Sequence, residues 1–199
     1  MAKLRFGYFM APFHRAGTNP TLALQRDLEF VEHIDALGFD EVWFGEHHSA
    51  GSEIISSPEI FIAAAAQRTK RIRLGTGLSR SPTTTRCGLP IGWCCSTTSR
   101  TGGCSAGGTG LVTHRFRDDR TDPTDTRELL ETNLDILVRL LAGETVTAKT
   151  ATHELFDARL QLAPYSEGGI PLAVAAVASP TGARLAGKHG IGLLSIGRP

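Results

Sequence analysis

Short apolar runs alternate with amphipathic helical patterns along most of this chain, and this alternation restricts the fold more than any other feature of the sequence. Helical spacing of apolar residues covers four segments, which are 20–37, 58–69, 126–142 and 180–189. Apolar runs of strand length, bounded by Gly, Pro or polar residues, occur at 4–10, 40–45, 71–76, 170–178 and 191–196. Strands and helices that alternate at this spacing form βαβ units around a parallel sheet, either doubly wound or closed into a barrel.

Several helix ends are marked in the sequence. Asn19 precedes Pro20, which predicts an N-cap followed by proline at the first helical position. Gly38 and Gly143 predict the ends of two helices, and the serines at 56–57 are cap candidates for the second helix. The first strand is apolar and is expected to be fully buried. No GxGxxG follows it, which favours a barrel over a dinucleotide-binding fold of the Rossmann type.

Composition and charge exclude several classes of protein. The 199 residues are 41% hydrophobic and 21% charged, which is typical of a soluble globular domain with a substantial core. The formal net charge of +1 gives no basis for binding nucleic acid or an anionic membrane. No run approaches the roughly 18 apolar residues of a membrane span, and the N-terminus lacks a secretory signal pattern. The expectation is a cytoplasmic protein that binds neither nucleic acid nor a membrane.

One stretch, at about residues 79–121, breaks the pattern. Thr, Gly, Ser and Cys crowd there without any hydrophobic period, and it contains all four cysteines of the chain. No histidine lies at zinc-ligand spacing and no CxxC occurs, so the spacing predicts neither a metal site nor a disulfide. A Gly/Ser/Thr-rich insertion loop is one interpretation, although a structureless loop of this length is uncommon inside a compact domain.

The motif FGEHHSAG, residues 44–51, follows the second predicted strand. In a parallel barrel the carboxyl ends of the strands form the active face, so Glu46, His47 and His48 would lie at its mouth. Imidazole exchanges a proton near neutral pH, and a neighbouring carboxylate can fix its tautomer. The alternative is a strand-end loop whose imidazoles cap backbone carbonyls, and the dipeptide alone does not decide between the two.

Three strings in order, LRFGYFMAPFH, LGFDEVWFGEHH and SPEIFIAAAAQRTKRIRLGTG, resemble the bacterial luciferase-like flavin-dependent monooxygenases, with the limonene monooxygenase-like branch nearest. The likeness covers residues 3–78 and resumes over about 122–197. It implies a TIM (β/α)8 barrel that binds reduced FMN, supplied by a separate flavin reductase, and uses O2 to oxygenate a small apolar, monoterpene-like substrate. His47 matches the first histidine of the family's EHH and would be the general acid or base beside the flavin, with Glu46 and His48 as its orienting neighbours.

The resemblance implies further site residues. The helix after strand 170–178 would seat the flavin phosphate at its N-terminus, where an ordinary capped helix is the alternative. The family's acidic residue and serine before this cap are replaced by Ala176 and Val177. Backbone at 75–76 would lie against the isoalloxazine ring, or form a plain strand-end turn, and apolar strand ends would wall the substrate pocket, or be simply core. The implied cofactor residues are Gly75, Thr76, Ala178, Ser179, Thr181 and Gly182, and the pocket residues are Phe9, Met10 and Trp43.

The resemblance also offers an interpretation of residues 79–121. The family expects a helix, a Gly-rich strand end and a loop between RLGTG and DPTDTRELL, and none of that sequence occurs here. Pro82–Cys87 can be encoded CCT ACC ACC ACC CGC TGC, which read two bases further on gives YHHPL, a string that the family carries there. We therefore hypothesise that residues 79–121 are a frameshifted, disordered translation. The chain would then be one partial barrel domain, 1–199, truncated after about six strands.

Two other functions stay open at this stage. A deazaflavin-dependent oxidoreductase that transfers hydride shares the early strands of this barrel. A non-catalytic remnant would follow from the loss of the fourth strand. Family members often form dimers, so a homodimer is an open alternative, and the exact substrate is not readable from the sequence.

Overall fold

The computed structural model describes residues 4–11, 13–47, 51–77, 104–105, 108–109, 126–150, 153–164, 169–176 and 180–195. Four helices lie within these ranges: α1 (Pro20–Leu37), α2 (Pro58–Arg68), α3 (Thr126–Leu141) and α4 (Pro180–His189). The strands within them are β1 (Gly7–Met10), β2 (Glu41–Phe44), β3 (Arg73–Thr76), β4 (Cys104–Ser105), β5 (Gly108–Thr109), β6 (Val146–Lys149), β7 (Glu154–Ala158), β8 (Ala173–Ala176) and β9 (Gly192–Ser195).

Parallel strands form two sheets. The first has the order β1-β2-β3-β4 and the second has the order β5-β8-β9, with every neighbouring pair parallel. A separate antiparallel pair is formed by β6 and β7. Helices alternate with most of the parallel strands, so the predicted α/β class with parallel strands is confirmed.

The predicted ends of α1 are confirmed by its hydrogen bonds. The Asn19 side chain accepts from the backbone N–H groups of Thr21 and Leu22 at 2.9 and 3.3 Å. Gly38 has a φ of 86°, a left-handed conformation that glycine adopts without steric cost, and its N–H donates back into the last turn. The prediction of a serine cap for α2 is correct for the position of the helix start, which is Pro58. It is wrong for the side chain, because Ser57 makes no side-chain capping hydrogen bond. The backbone carbonyl of Ser57 accepts instead, from the N–H groups of the first helical turn.

One face of the first sheet packs against α1 and α2. Since side chains alternate along a strand, Met10, Phe44 and Leu74 share this face, and they join a core cluster with residues of both helices. The rings of Phe44 and Phe61 meet edge to face, with centroids 5.0 Å apart. The opposite face carries six residues of the first three strands in two registered rows: Gly7, Glu41 and Arg73, and Phe9, Trp43 and Gly75.

The first strand departs from expectation. It was predicted to be fully buried, yet Tyr8 and Phe9 are exposed and only Met10 is buried. The reason is its place at one edge of the first sheet, where β2 is its only partner among the described strands. Tyr8 is covered on one side by an edge-to-face contact with Phe30 of α1, at a centroid distance of 4.9 Å.

Two features of the fold were not predicted. The β6–β7 hairpin spans a stretch for which no strand was predicted from sequence, and its pairing is irregular between Val146 and Ala148. The strands β4 and β5 lie inside the segment 79–121, where β4 pairs with β3 through Leu74 and Gly75. The rest of that segment, and with it the predicted disorder, lies outside the described residues.

Two absences apply to the described part of the chain. None of its helices is long and apolar enough to cross a lipid bilayer. The same residues include no group of three or more His, Cys, Asp or Glu side chains that could hold a metal ion.

Candidate active site

The carboxyl ends of β1, β2 and β3 lie side by side at the same end of the first sheet. Met10, Phe44 and Thr76 end these strands, and Met10 is paired in register with Phe44, which is paired with Thr76. Backbone bonds continue past the strands, from Gly45 N–H to the Met10 carbonyl at 2.9 Å and from Gly77 N–H to the Phe44 carbonyl. The loops that follow these three strands therefore begin close together.

Glu46 and His47 follow β2 directly, so the structure places these two predicted residues at the strand exits. The His47 side chain is largely buried, and its Nδ1 contacts the Oε2 atom of Glu53. Its backbone N–H donates to the Ile55 carbonyl at 3.1 Å, which brings the returning loop back beside it. Glu46 is also buried. His48, the third predicted member of this group, lies outside the described residues.

Glu53 is a site residue that the sequence analysis missed. Its side chain is only 6% exposed, and a carboxylate that remains ionised at this depth requires partners. The imidazole of His47 is such a partner. The signal in the sequence is weak, because Glu53 stands six residues beyond His47 in a loop without periodicity and nothing local indicates that the two side chains meet.

The loop between β1 and α1 holds the Glu53 segment from the other side. Phe13 forms an isolated antiparallel bridge with Glu53, and His14 N–H donates to the Ser52 carbonyl at 2.7 Å. The His14 ring turns toward α1, where its Nε2 lies 3.0 Å from an Asp27 carboxylate oxygen. Burial raises the pKa of Asp27, and the neighbouring His14 offsets only part of that rise. The backbone hydrogen bond between His14 and Ser52 thus joins this second histidine–carboxylate pair to the first.

Phe9 and Trp43, two of the predicted pocket residues, lie next to each other on the sheet face opposite the helices, in register with Gly75. The Trp43 indole N–H donates to Glu41 at 3.2 Å, and Glu41 pairs with Arg73 at 3.1 Å. The Glu41–Arg73 ion pair therefore lies beside the row of Phe9, Trp43 and Gly75, and Glu41 fixes the orientation of the indole.

Other predicted residues fall outside this row. Met10 packs in the helix-side core, so the structure does not bring it to Phe9 and Trp43. Thr76, a predicted cofactor residue, is buried on that same helix side, whereas Gly75 lies on the opposite face.

The N-terminus of α4 approaches β8 closely. Thr181 and Gly182 are its second and third residues, and a Cβ atom added at Gly182 would lie 2.5 Å from the Cβ of Ala176. Glycine is therefore required here for the close contact of helix and strand. The predicted residues Ala178 and Ser179 lie between β8 and α4, outside the described residues.

Comparison with known sequences gives a consistent result. The family described as "Luciferase-like monooxygenase" matches residues 4–85 and 107–199. Limonene 1,2-monooxygenase of Rhodococcus erythropolis is 46% identical over 200 residues, which cover 98% of this chain and 50% of that protein. The 4-hydroxyprotoasukamycin monooxygenase of Streptomyces nodosus subsp. asukaensis is 46% identical over 209 residues, which cover 100% of this chain and 54% of that protein.

Comparison with solved structures shows the same fold. A monooxygenase from Streptomyces bottropensis has a TM-score of 0.86 at 23% identity, over 96% of this chain and 59% of that one. The oxygenating constituent of 3,6-diketocamphane monooxygenase from Pseudomonas putida, solved with FMN, has a TM-score of 0.81 at 21% identity, over 96% and 57%. An F420-dependent secondary alcohol dehydrogenase, solved with an F420–acetone adduct, has a TM-score of 0.76 at 21% identity, over 98% and 58%.

The parallel βα units and the histidine–carboxylate pair at the strand exits thus occur in a chain whose relatives are named monooxygenases. The chain belongs to the luciferase-like monooxygenase family, which confirms the resemblance. It spans about half the length of the curated relatives that it matches.

Proposed function

We propose that this chain carries the proton-transfer residue and part of the cofactor site of a flavin-dependent monooxygenase that oxygenates a small apolar, monoterpene-like substrate with reduced FMN and O2. The observation that carries the proposal is the buried contact between His47 and Glu53 at the exit of β2. It is supported by the 46% identity to limonene 1,2-monooxygenase. We further propose that the two parallel sheets are parts of one TIM barrel, as the likeness to solved monooxygenases suggests.

The residues present fit FMN in two ways. Gly75 lies between Trp43 and the short strand β4 and offers a surface without a side chain, which suits a flat ring. The N-terminus of α4 carries the positive end of a helix dipole, which suits a phosphate. The backbone of Thr181 and Gly182 would hold that phosphate, together with Ser179 and Ala178.

Reduced FMN, when bound and supplied by a flavin reductase, provides the two electrons that activate O2. One oxygen atom passes to the substrate and the other leaves as water, so protons must be delivered at the site. His47 is suited to hold and transfer a proton, because imidazole changes charge near neutral pH. Phe9 and Trp43 would contact the apolar substrate and exclude water, while Glu46 and His48 would be neighbours of the reacting imidazole.

A second candidate function is hydride transfer with the deazaflavin F420. The specific support is the TM-score of 0.76 with an F420-dependent secondary alcohol dehydrogenase over 98% of this chain. In that case His47 would exchange the proton of an alcohol or ketone oxygen, and O2 would not be consumed.

Product formation under 18O2 tests the proposal. The full chain would receive limonene and reduced FMN from a flavin reductase, with a protein-free control for the spontaneous oxidation of reduced FMN. We expect one labelled oxygen atom per product molecule. His47→Ala should lower the rate by about 100-fold or more, because general acid–base catalysis contributes at least this factor. His33→Ala, at an exposed position on α1, is the matched control and should leave the rate unchanged.

Other outcomes separate the alternatives. Oxidation of reduced F420 with a ketone substrate and no incorporated label would favour hydride transfer. A chain that neither melts at a higher temperature with FMN nor forms product would contradict the proposal and support a non-catalytic remnant.

A further inference from the structure

We propose that Glu53 is the positioning residue of His47: its carboxylate holds a proton on Nδ1, so that Nε2 is the ring nitrogen that exchanges protons with the reacting groups. This inference deepens the proposed function and rests on it for its catalytic meaning. Its structural part, the assignment of the imidazole tautomer, can be tested without any activity.

The contact joins a carboxylate oxygen of Glu53 to a ring nitrogen of His47. An ionised carboxylate accepts hydrogen bonds and donates none, so the ring nitrogen beside Glu53 must carry hydrogen. That nitrogen is Nδ1 of His47. In the neutral imidazole only one nitrogen carries hydrogen, and the lone pair of the ring then lies on Nε2. The same contact stabilises the imidazolium form when Nε2 takes up a proton.

The backbone of the Glu53 segment is held by contacts other than the His47 ring. Glu53 forms the bridge to Phe13, and the preceding residue accepts the His14 N–H at 2.7 Å. Two residues further on, the Ile55 carbonyl accepts the backbone N–H of His47 at 3.1 Å. Carboxylate and imidazole are therefore fixed by backbone contacts on both sides, which limits the loss of side-chain freedom when they meet.

Other charged groups lie near His47 in the described part of the chain. Glu46 adjoins His47 in the chain and is buried. His14 and Asp27 face each other across the β1–α1 loop, with Nε2 and Oδ2 3.0 Å apart. Glu53 is the group whose carboxylate oxygen contacts the His47 ring itself. Glu46 and His48 were the orienting neighbours expected from the sequence. Glu46 is the one of the two that lies within the described residues, and it is therefore the competing assignment that an experiment must test.

The experiment is nitrogen-15 NMR of histidine-labelled full-length chain, with the His47 signal assigned by its loss in His47→Gln. We expect the Nδ1–H tautomer in the wild type. Glu53→Ala should populate the Nε2–H tautomer, and Glu53→Gln should keep the Nδ1 hydrogen bond but remove the charge. Glu59→Gln, at an exposed position on α2, is the matched control and should leave the His47 signals unchanged.

Kinetics supply the second readout. Glu53→Ala should lower kcat by about 100-fold or more, as expected when an imidazole is left in the wrong tautomer. Its FMN dissociation constant should stay within about two-fold of the wild type, because Glu53 is not part of the phosphate seat. Glu53→Asp, which restores a carboxylate, should recover part of the lost rate.

Three results would overturn the inference. One is an Nε2–H tautomer of His47 in the wild type, which needs no variant to fold. Another is a tautomer change in Glu46→Gln but not in Glu53→Ala, and the third is an unchanged kcat in Glu53→Ala. If instead the tautomer behaves as expected and no variant or wild type forms oxygenated product, the positioning stands and the proposed function fails.

Discussion

Replacement of Asp35, a residue of α1, should be among the single changes that most destabilise the packing of α1 against the first sheet. The side chain of this α1 residue is buried, and its carboxylate accepts three backbone N–H groups from the segment that leads into β3. The N–H to oxygen contacts are 2.8 Å from Lys70, 3.1 Å from Arg71 and 2.7 Å from Ile72. The Arg71 guanidinium also donates to the Asp35 backbone carbonyl at 3.0 Å. One side chain therefore fixes the start of β3 against α1.

The expected magnitude follows from the donors that lose their acceptor. A hydrogen bond to a charged group contributes about 1.5–3 kcal/mol, and a buried donor left unpaired costs about 1–3 kcal/mol. Since the three donors share one carboxylate and their energies are not additive, we expect Asp35→Ala to lower the free energy of unfolding by about 3–5 kcal/mol. Asp35→Asn keeps one oxygen but turns an amide donor toward Lys70 N–H, so we expect a loss of about 2–3 kcal/mol.

Urea denaturation followed by circular dichroism measures these losses. Glu29→Gln, at an exposed position on the same helix, is the control and should change the free energy of unfolding by less than about 0.5 kcal/mol. A loss below about 1 kcal/mol for Asp35→Ala would refute the reasoning, because it is smaller than one charged hydrogen bond.

The pH dependence gives an independent check of the same residue. Burial alone would raise the pKa of Asp35, but the N–H groups of Lys70, Ile72 and Arg71 and the charge of Arg71 outweigh it and hold the pKa below its ordinary value. The stabilisation is therefore complete above the pKa that Asp has in the unfolded chain, and it is lost as the pH falls through the lower native value. Asp35→Asn should abolish this acid-dependent loss, and an unchanged pH profile in that variant would contradict the assignment.

Three further variants test the site and its supports. Gly182→Ala would place a Cβ 2.5 Å from that of Ala176, so it should cost about 1–3 kcal/mol in urea denaturation and weaken FMN binding in a fluorescence titration. Gly187→Ala, where an added Cβ has no described neighbour within 4 Å, should instead stabilise α4 by about 0.5–1 kcal/mol. Burial raises the pKa of Asp27 despite His14, so wild-type stability should fall relative to Asp27→Asn as the pH rises through the ordinary Asp range, and parallel pH profiles would contradict this.

The ends of α1 could be predicted from sequence because their signals are local. Asn19, Pro20 and Gly38 act within a few residues of themselves, through a side-chain cap, a fixed φ and a left-handed turn. Strand lengths were predicted less well, since an apolar run can continue past the residues that pair. The partner strand decides where pairing ends, and the run 4–10 pairs with β2 only over Gly7–Met10.

The hairpin of β6 and β7 escaped prediction because its strands are short and their few apolar residues are interleaved with polar ones. Val146, Ala148 and Leu155 pack in one core cluster. Thr147, Lys149 and Glu154 are exposed, and contacts between polar side chains also support the pairing. One of them is the hydrogen bond of 3.0 Å between Thr147 and Asp157. Such cross-strand pairs are visible only when the register is known.

The position of His47 at a strand exit could be predicted, because the motif follows directly on an apolar run. Glu53 could not, because its contact with His47 depends on a loop that folds back onto a neighbouring loop. Met10 shows a different limit on predicting site residues from sequence. It stands at a strand exit, as a pocket residue should, but the alternation of side chains turns it to the helix side, and the parity of a strand is fixed only by its neighbours.

The proposed cofactor sites lie on different sheets, and this has a thermodynamic consequence. The ring surface at Gly75 belongs to the first sheet, whereas the phosphate seat at the start of α4 follows β8 of the second. A ligand that contacts both couples their stabilities, and at 100 times its dissociation constant it contributes about 2.7 kcal/mol to the native state. We therefore expect FMN to slow amide hydrogen exchange in β2 and in β8 together. Protection confined to one of these strands would show that the ligand engages only one sheet, and it would contradict a shared site.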